Sequence, residues 1–209
     1  MRKRIASVLA TGGAIALTLG LTAAPAFAAT WSVSPGGSIT GAAGTTTLKD
    51  TTTGNTLSCT SSSTTATLKS GHGLAGASIG SVTGISFTGC TGPLGLTFTV
   101  TPGHLPWHLN AVSYNATSHK TTGTITGIHA TLSGPSCSAV VDGATSGTAN
   151  NGKVKVTYTN STHKLQVLTT GGTLHIWNVS GCAGLIGSGD GSTFSGTYTI
   201  SPAQTITSP

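Results

Sequence analysis

Ser78 is the residue of this 209-residue chain whose neighbours most resemble a catalytic motif. The segment Gly76-Ala77-Ser78-Ile79-Gly80 fits the G-x-S-x-G pattern of a nucleophile elbow, where a sharp strand-to-helix turn exposes the serine beside an oxyanion hole. No strand precedes this segment, and residues 81–87 after it alternate as a strand does. Glycine and serine are abundant, so the pattern also arises by chance. A hydrolase that uses Ser78 is therefore the least favoured function.

Two histidines, His104 and His108, have a spacing that a metal site on a helix would use. Pro106 lies between them and prevents a helix from continuing. On an extended strand the two imidazoles would be about 13 Å apart, too far for one ion, and only an irregular loop would bring them together. We expect no metal site and interpret the segment as a turn anchored by Trp107 with solvated histidines.

Carboxylates are scarce, because Asp50, Asp142 and Asp190 are the only acidic residues. Glycoside hydrolysis of the usual kind needs two carboxylates near each other, and a calcium loop needs several oxygen ligands at close spacing. Each aspartate is isolated in the sequence, and those at 142 and 190 are typical of turns. A Ser–His–Asp set can still meet in the fold, but the composition argues against most hydrolases. We expect no enzyme and no cofactor.

Tryptophans offer a second kind of chemistry, which is ligand binding. We take Trp107, Trp177 and His108 as candidate contacts for a small apolar or flat ligand held between β-layers. Trp177 follows Ile176 in an alternating strand, so it is either exposed for binding or packed under a loop, and the loop is the favoured interpretation. A carrier of this kind would need a cavity above about 300 Å³.

The four cysteines predict two disulfides. Residues 87–95 and 179–187 match position by position in residue type around Cys90 and Cys182, and a Ser-Cys pair lies upstream of each, at Cys59 and Cys137. We interpret this likeness as an internal duplication with one disulfide in each half, Cys59–Cys90 and Cys137–Cys182. Convergence of two Gly-flanked cysteines is the alternative. The gaps between the cysteines do not fit the close pairs of a zinc site.

Alternating apolar and polar residues predict the elements that hold these side chains. Val154, Val156 and Tyr158 alternate with lysines and threonines, and similar runs recur along the chain. No segment after residue 28 has uninterrupted helical spacing of apolar residues. We predict an all-β fold, an antiparallel β-sandwich or barrel-like body in which residues 29–209 form one domain from two related halves, about 30–115 and 116–205. Residues 153–180 are expected to form a three-stranded meander.

The first 28 residues predict export. Arg2-Lys3-Arg4 precede an apolar stretch, and Ala26-Phe27-Ala28 resembles a signal-peptidase site, so we expect cleavage after Ala28 and no stable membrane span in the mature chain. Cleavage would lower the formal charge from +6 by three to +3. The remaining lysines are scattered in the sequence and no arginine remains, so we expect no nucleic-acid binding.

Three blocks of sequence resemble a family of secreted, Thr/Gly-rich actinobacterial proteins without a characterised activity. The blocks are Gly92-Pro93-Leu94-Gly95-Leu96-Thr97-Phe98-Thr99-Val100, Leu105-Pro106-Trp107-His108-Leu109-Asn110 and Gly181-Cys182-Ala183-Gly184-Leu185-Ile186. The resemblance covers nearly the whole mature chain. It implies secretion by a high-GC Gram-positive bacterium and carries no catalytic residues.

We therefore expect a secreted, non-enzymatic β protein that is structural or interacts with the cell envelope. The alternative is a carrier of a small apolar or flat ligand, and the hydrolase comes last. Expected partners are an envelope polymer or a small apolar molecule. The sequence does not indicate an oligomeric state.

Overall fold

The computed structural model describes residues 30–209, so the predicted signal segment lies outside the described residues. Apart from a 3-10 turn at Pro93–Gly95, every regular element within residues 30–209 is a strand. No helix in the described part of the chain is long and apolar enough to cross a membrane. The strands are β1 Thr30–Ser34, β2 Gly37–Ala43, β3 Thr46–Asp50, β4 Thr56–Leu68, β5 Gly71–Ala75, β6 Gly80–Thr91, β7 Thr97–Gly103, β8 Trp107–Asn115, β9 Lys120–Ser133, β10 Ser138–Asp142, β11 Gly152–Thr159, β12 Lys164–Leu168, β13 His175–Ser180, β14 Ser192–Ser201 and β15 Thr205–Thr207.

Twelve strands form one antiparallel sheet that closes on itself twice. A first ring runs through β9, β11, β12, β14, β2, β4, β6 and β8 and returns to β9. Strands β4, β6, β9 and β14 continue beyond it, and their other ends pair with β3, β7 and β10. With β13, which pairs with β10, these ends form a second ring that an isolated bridge between His175 and Gly191 closes. The prediction of an all-β antiparallel fold is confirmed.

Alternation decides which side chains face the interior of the rings. In β11, Val154, Val156 and Tyr158 are buried, while the alternate residues Lys153 and Lys155 face outward. Burying the apolar face of each long strand in one shared core offsets the entropy lost on ordering so much backbone. The core therefore lies along the axis of the two rings.

The predicted meander is only partly correct. Strands β11 and β12 form a hairpin, but β12 then pairs with β14 instead of β13. Strand β13 crosses to β10 and belongs to the second ring. The glycine-containing turn at residues 170–172 follows β12, yet closure of the two rings separates the strands on either side of it.

A separate sheet of β15, β1 and β5 covers the open end of the first ring. Trp31, Val33 and Ile206 bury their side chains beneath this cap sheet. The Thr121 hydroxyl donates to the Ile206 carbonyl at 3.2 Å, and the Tyr158 hydroxyl donates to the Gln204 carbonyl at 2.9 Å. These bonds fix the cap sheet and the segment before it to the ring wall.

Both predicted disulfides are present. Cys59 and Cys90 are direct cross-strand partners on β4 and β6. Cys137 and Cys182 join the start of β10 to the end of β13. Both bridges lie in or beside the second ring, at the end of the molecule away from the cap sheet.

Candidate functional site

The interior of the rings contains a central cavity of about 120 Å³. Nearly all of its wall is apolar and includes Phe87, Trp107, Ile125, Val167 and Phe194. An apolar cavity of this kind excludes water and accepts small apolar molecules.

Two smaller cavities continue the central one along the axis. A cap-side cavity of about 60 Å³ shares Ile39, Leu109, Leu165 and Ile200 with the central cavity. A far cavity of about 40 Å³ shares Leu48, Leu57 and Leu132 with it. Leucine and isoleucine side chains thus line the central cavity and each of its neighbours in common, and together we call the three cavities the lumen.

The cap-side end of the lumen is closed by polar groups that satisfy one another. Gln204 accepts the Gly36 amide at its Oε1 (2.9 Å) and donates from Nε2 to the Pro202 carbonyl (3.1 Å). The backbone amide of Gln204 donates to the Tyr158 hydroxyl at 3.2 Å. Burial raises the pKa of Tyr158 above its ordinary 10.0, and the hydrogen bond to Gln204 lowers it in part. This end is a hydrogen-bonded plug.

The far end has buried polar atoms without partners. Asp50 is 2% exposed and lines the far cavity, and its Oδ2 has no hydrogen-bond partner among the described residues. Ser192 is its register partner on β14, and the buried Ser192 Oγ also lacks a partner there. At the start of β3, Thr46 lines the central cavity, and its Oγ1 has no hydrogen-bond partner among the described residues. Such groups are rare in native proteins because their burial costs free energy.

The three candidate ligand contacts do not meet. Trp107 is buried in the wall of the central cavity, where its Nε1 donates to the Gly103 carbonyl at 3.0 Å. His108, the next residue on β8, is exposed on the outer face of the ring. Trp177 lies outside the second ring; its Nε1 donates to the Gly143 carbonyl at 2.9 Å and its ring stacks on His175. Only Trp107 lies at the lumen.

Ser78 lies on an exposed turn before β6, with a φ of +47°. Its amide donates to Asn110 Oδ1 at 2.9 Å. Contrary to the expectation from sequence, a strand, β5, does precede the segment, but the element that follows is the strand β6 and not a helix. Among the described residues, no histidine hydrogen-bonds its hydroxyl; His72, nearby in sequence, contacts Ser32 Oγ at 2.9 Å instead.

A histidine–aspartate pair, which the sequence did not reveal, lies outside the second ring. His129 Nδ1 is 3.1 Å from Oδ2 of the fully buried Asp142, and the His104 ring packs edge-on against His129 with centroids 4.7 Å apart. The amides of Gly143, Asn150 and Asn151 donate to the same carboxylate. Burial alone raises the pKa of Asp142, but the hydrogen bonds from His129 and the amides bring it below 3.8. The described residues contain no group of three metal-ligating side chains close enough to hold an ion.

Fold and site thus define a closed antiparallel β protein with two disulfides and an apolar lumen that has one satisfied and one unsatisfied polar end. No curated protein and no solved structure matches the chain. Its sequence matches, over residues 1–208, the family described as alkane oxidation protein activator PraA/PraB-like. The chain belongs to this family. The actinobacterial origin implied by the sequence resemblance stays a prediction.

Proposed function

We propose that the protein is a non-catalytic accessory protein of hydrocarbon oxidation that holds small apolar molecules in its lumen. The observation that supports this function is the axial row of apolar cavities in a chain whose family is named for activation of alkane oxidation. Each buried CH₂ group of a bound hydrocarbon would contribute about 0.8 kcal/mol. No step of the function requires a nucleophile or a cofactor.

The size of the lumen limits its ligand. The central cavity of about 120 Å³ is close to the ~150 Å³ of an engineered apolar cavity that binds benzene or xenon. It is well below the ~300 Å³ at which pockets for larger ligands begin. The cavity is therefore smaller than the size expected above for a carrier of either an apolar or a flat ligand, and within the proposal only a short hydrocarbon chain is small enough for the lumen.

Filling the central cavity tests this proposal. Ala66 and Ala130 line it, so Ala66→Leu or Ala130→Leu would place a side chain where the ligand binds. Ala42→Leu is the matched control, because Ala42 is exposed on β2. We expect xenon and n-pentane to shift methyl NMR signals of the wild type and of Ala42→Leu, and to lose at least tenfold in affinity in the lumen variants. Equal binding by all of them, or binding by none, would refute the proposal.

A second candidate function is attachment to an anionic surface of the cell envelope. It is favoured by four of the six lysines in the described chain, which share one outer face although they are scattered in the sequence. Lys153 and Lys155 face outward on β11, and Thr159 on the same face pairs with Lys120 on one side and Lys164 on the other. Among the described residues no lysine forms a salt bridge with a carboxylate, so no acidic side chain neutralises this face.

Vesicles test the lysine face, with a control that has the same charge. The double variant Lys120→Gln/Lys164→Gln removes two charges from the face, and Lys49→Gln/Lys69→Gln removes two exposed charges elsewhere. Because each lysine near an anionic membrane contributes about 1 kcal/mol, the first variant should bind phosphatidylglycerol vesicles about 30-fold more weakly. The control should lose much less. Equal losses would indicate a general charge effect, and tighter binding to duplex DNA at equal phosphate would argue against the envelope. Export and the oxidising compartment that suits the disulfides belong to the same proposal.

A further inference from the structure

We infer that the far end of the lumen is a site for the polar end of an apolar chain, namely a terminal hydrogen-bond donor that binds Asp50 Oδ2. The inference rests on the proposed function, because it takes the lumen as the place of the chain. It adds the chemical class of the ligand, an alkyl chain with one donor group such as a primary alcohol or amine, in place of a bare alkane.

The two carboxylate oxygens of Asp50 differ in their hydrogen bonds. Oδ1 accepts the amides of Thr52 (2.7 Å) and Thr53 (2.9 Å), so it holds the turn that follows β3. Oδ2 is buried and receives no donor from the described residues, and Asp50 is one of the residues that line the far cavity. The turn after β3 needs only Oδ1, so its hydrogen bonds do not explain why Oδ2 is buried. A hydrogen-bond donor on a ligand would give Oδ2 a partner.

Ser192 adds the complementary group. It pairs with Asp50 in register, so both side chains lie on the same face of neighbouring strands, and its hydroxyl also lacks a partner in the described chain. Ser192 does not itself line the far cavity, but a hydroxyl bound to Asp50 Oδ2 would lie next to this register partner. Because a hydroxyl both donates and accepts, the same alcohol group can also accept from Ser192 Oγ. An amine would satisfy the carboxylate alone.

The rest of the far cavity is suited to an alkyl chain. Phe98, Ile176 and Ile186 contribute to its apolar wall, and Leu48, Leu57 and Leu132 line both it and the central cavity. A chain whose polar end lies at Asp50 can extend between these leucines toward the larger cavity, since core side chains change rotamer. The satisfied plug at Gln204 leaves no equivalent site at the cap-side end.

Three probes of nearly equal size test the inference in the disulfide-bonded protein. They are 1-pentanol, its isomer 1-methoxybutane, which accepts but cannot donate, and n-pentane. A hydrogen bond to a charged group is strong enough that we expect 1-pentanol to bind at least tenfold more tightly than 1-methoxybutane in NMR titrations. Pentylamine distinguishes an amine site from an alcohol site.

Variants test which residues cause the preference for 1-pentanol over 1-methoxybutane. Asp50→Asn keeps an oxygen for the Thr52 and Thr53 amides but places an NH₂ donor at the far cavity, so the preference for 1-pentanol should vanish and 1-methoxybutane should gain. Asp190→Asn makes the same change at an aspartate outside the far cavity whose carboxylate accepts, within the described chain, only the Gly187 amide, and this variant should keep the preference. Ser192→Ala should weaken the binding of 1-pentanol about fivefold and leave the binding of pentylamine unchanged. This variant tests the site even if Asp50→Asn fails to fold.

The results separate this inference from the proposed function. Binding of n-pentane without any preference for 1-pentanol would leave the lumen function in place and overturn the donor site, with a bound water as the partner of Asp50. Failure of all probes to bind would overturn both. A preference that survives in Asp50→Asn would also reject the site.

Discussion

Two buried aspartates end two strands of the second ring, and they differ in how their oxygens are used. Asp142 ends β10 and accepts hydrogen bonds from His129 and three loop amides through both oxygens. Asp50 ends β3 and accepts two amides through Oδ1 alone. Both positions bury a carboxylate at the start of a turn. Full satisfaction indicates a structural role for Asp142, whereas an unused buried oxygen beside a cavity indicates a binding role for Asp50.

The same substitution at both positions should separate these roles most clearly. Asp142→Asn replaces one acceptor oxygen with a donor that faces His129 and the Asn150 amide, so we expect a loss of about 3 kcal/mol in the free energy of unfolding. Urea unfolding followed by tryptophan fluorescence measures it. A loss below about 1 kcal/mol would mean that the loop after β10 does not depend on this carboxylate.

Low pH should affect the protein through Asp142. Because its folded pKa lies below the ordinary 3.8, the stabilisation is complete above that value and is lost as the pH falls through the folded pKa. The free energy of unfolding should therefore decrease from about pH 4 downward. Asp142→Asn should show a shallower decrease over the same range. An identical pH dependence in the variant would assign the acid sensitivity to other groups.

Local patterns explain why the fold class and both disulfides were predictable. The alternation in β11 predicts that every second side chain is buried, and the two Gly-Cys-x-Gly segments indicate the matching cysteines. Both are short-range signals. Closure of the rings is not local, because β13 pairs with β10, which lies more than thirty residues earlier in the chain. The third strand of the predicted meander was wrong for this reason.

The lumen depended on the same long-range closure. Trp107 was a candidate contact from its residue type alone, and the structure places it in the cavity wall. Asp50 and Ser192 had no signal, because an aspartate before a run of threonines is typical of an ordinary turn. Their relation is a strand register between residues 142 positions apart. The lysine face arises in the same way from the pairing of β9, β11 and β12.

At Asp50 the asparagine substitution should have a much smaller effect than at Asp142. Asp50→Asn preserves the Oδ1 acceptor of the turn and removes no hydrogen bond at the other atom, so the free energy of unfolding should change by less than about 1 kcal/mol. Thermal unfolding of both asparagine variants under one buffer condition gives the comparison directly. A loss as large as that of Asp142→Asn would show that Oδ2 has a structural partner, and the binding role of Asp50 would be withdrawn.

Ser192→Ala should have the smallest effect and is the most discriminating test. Its hydroxyl is buried without a partner in the described chain, so removing it breaks no bond and removes a desolvated group, and stability should stay within about 0.5 kcal/mol or increase slightly. Ser62→Ala is the matched control, because the buried Ser62 hydroxyl lies 2.9 Å from the Tyr198 hydroxyl and its loss leaves that phenol unpaired. We expect the control to lose about 1–2 kcal/mol. If both serines cost the same, the hydroxyl at 192 is already satisfied in solution, and the far end of the lumen is a second plug rather than a binding site.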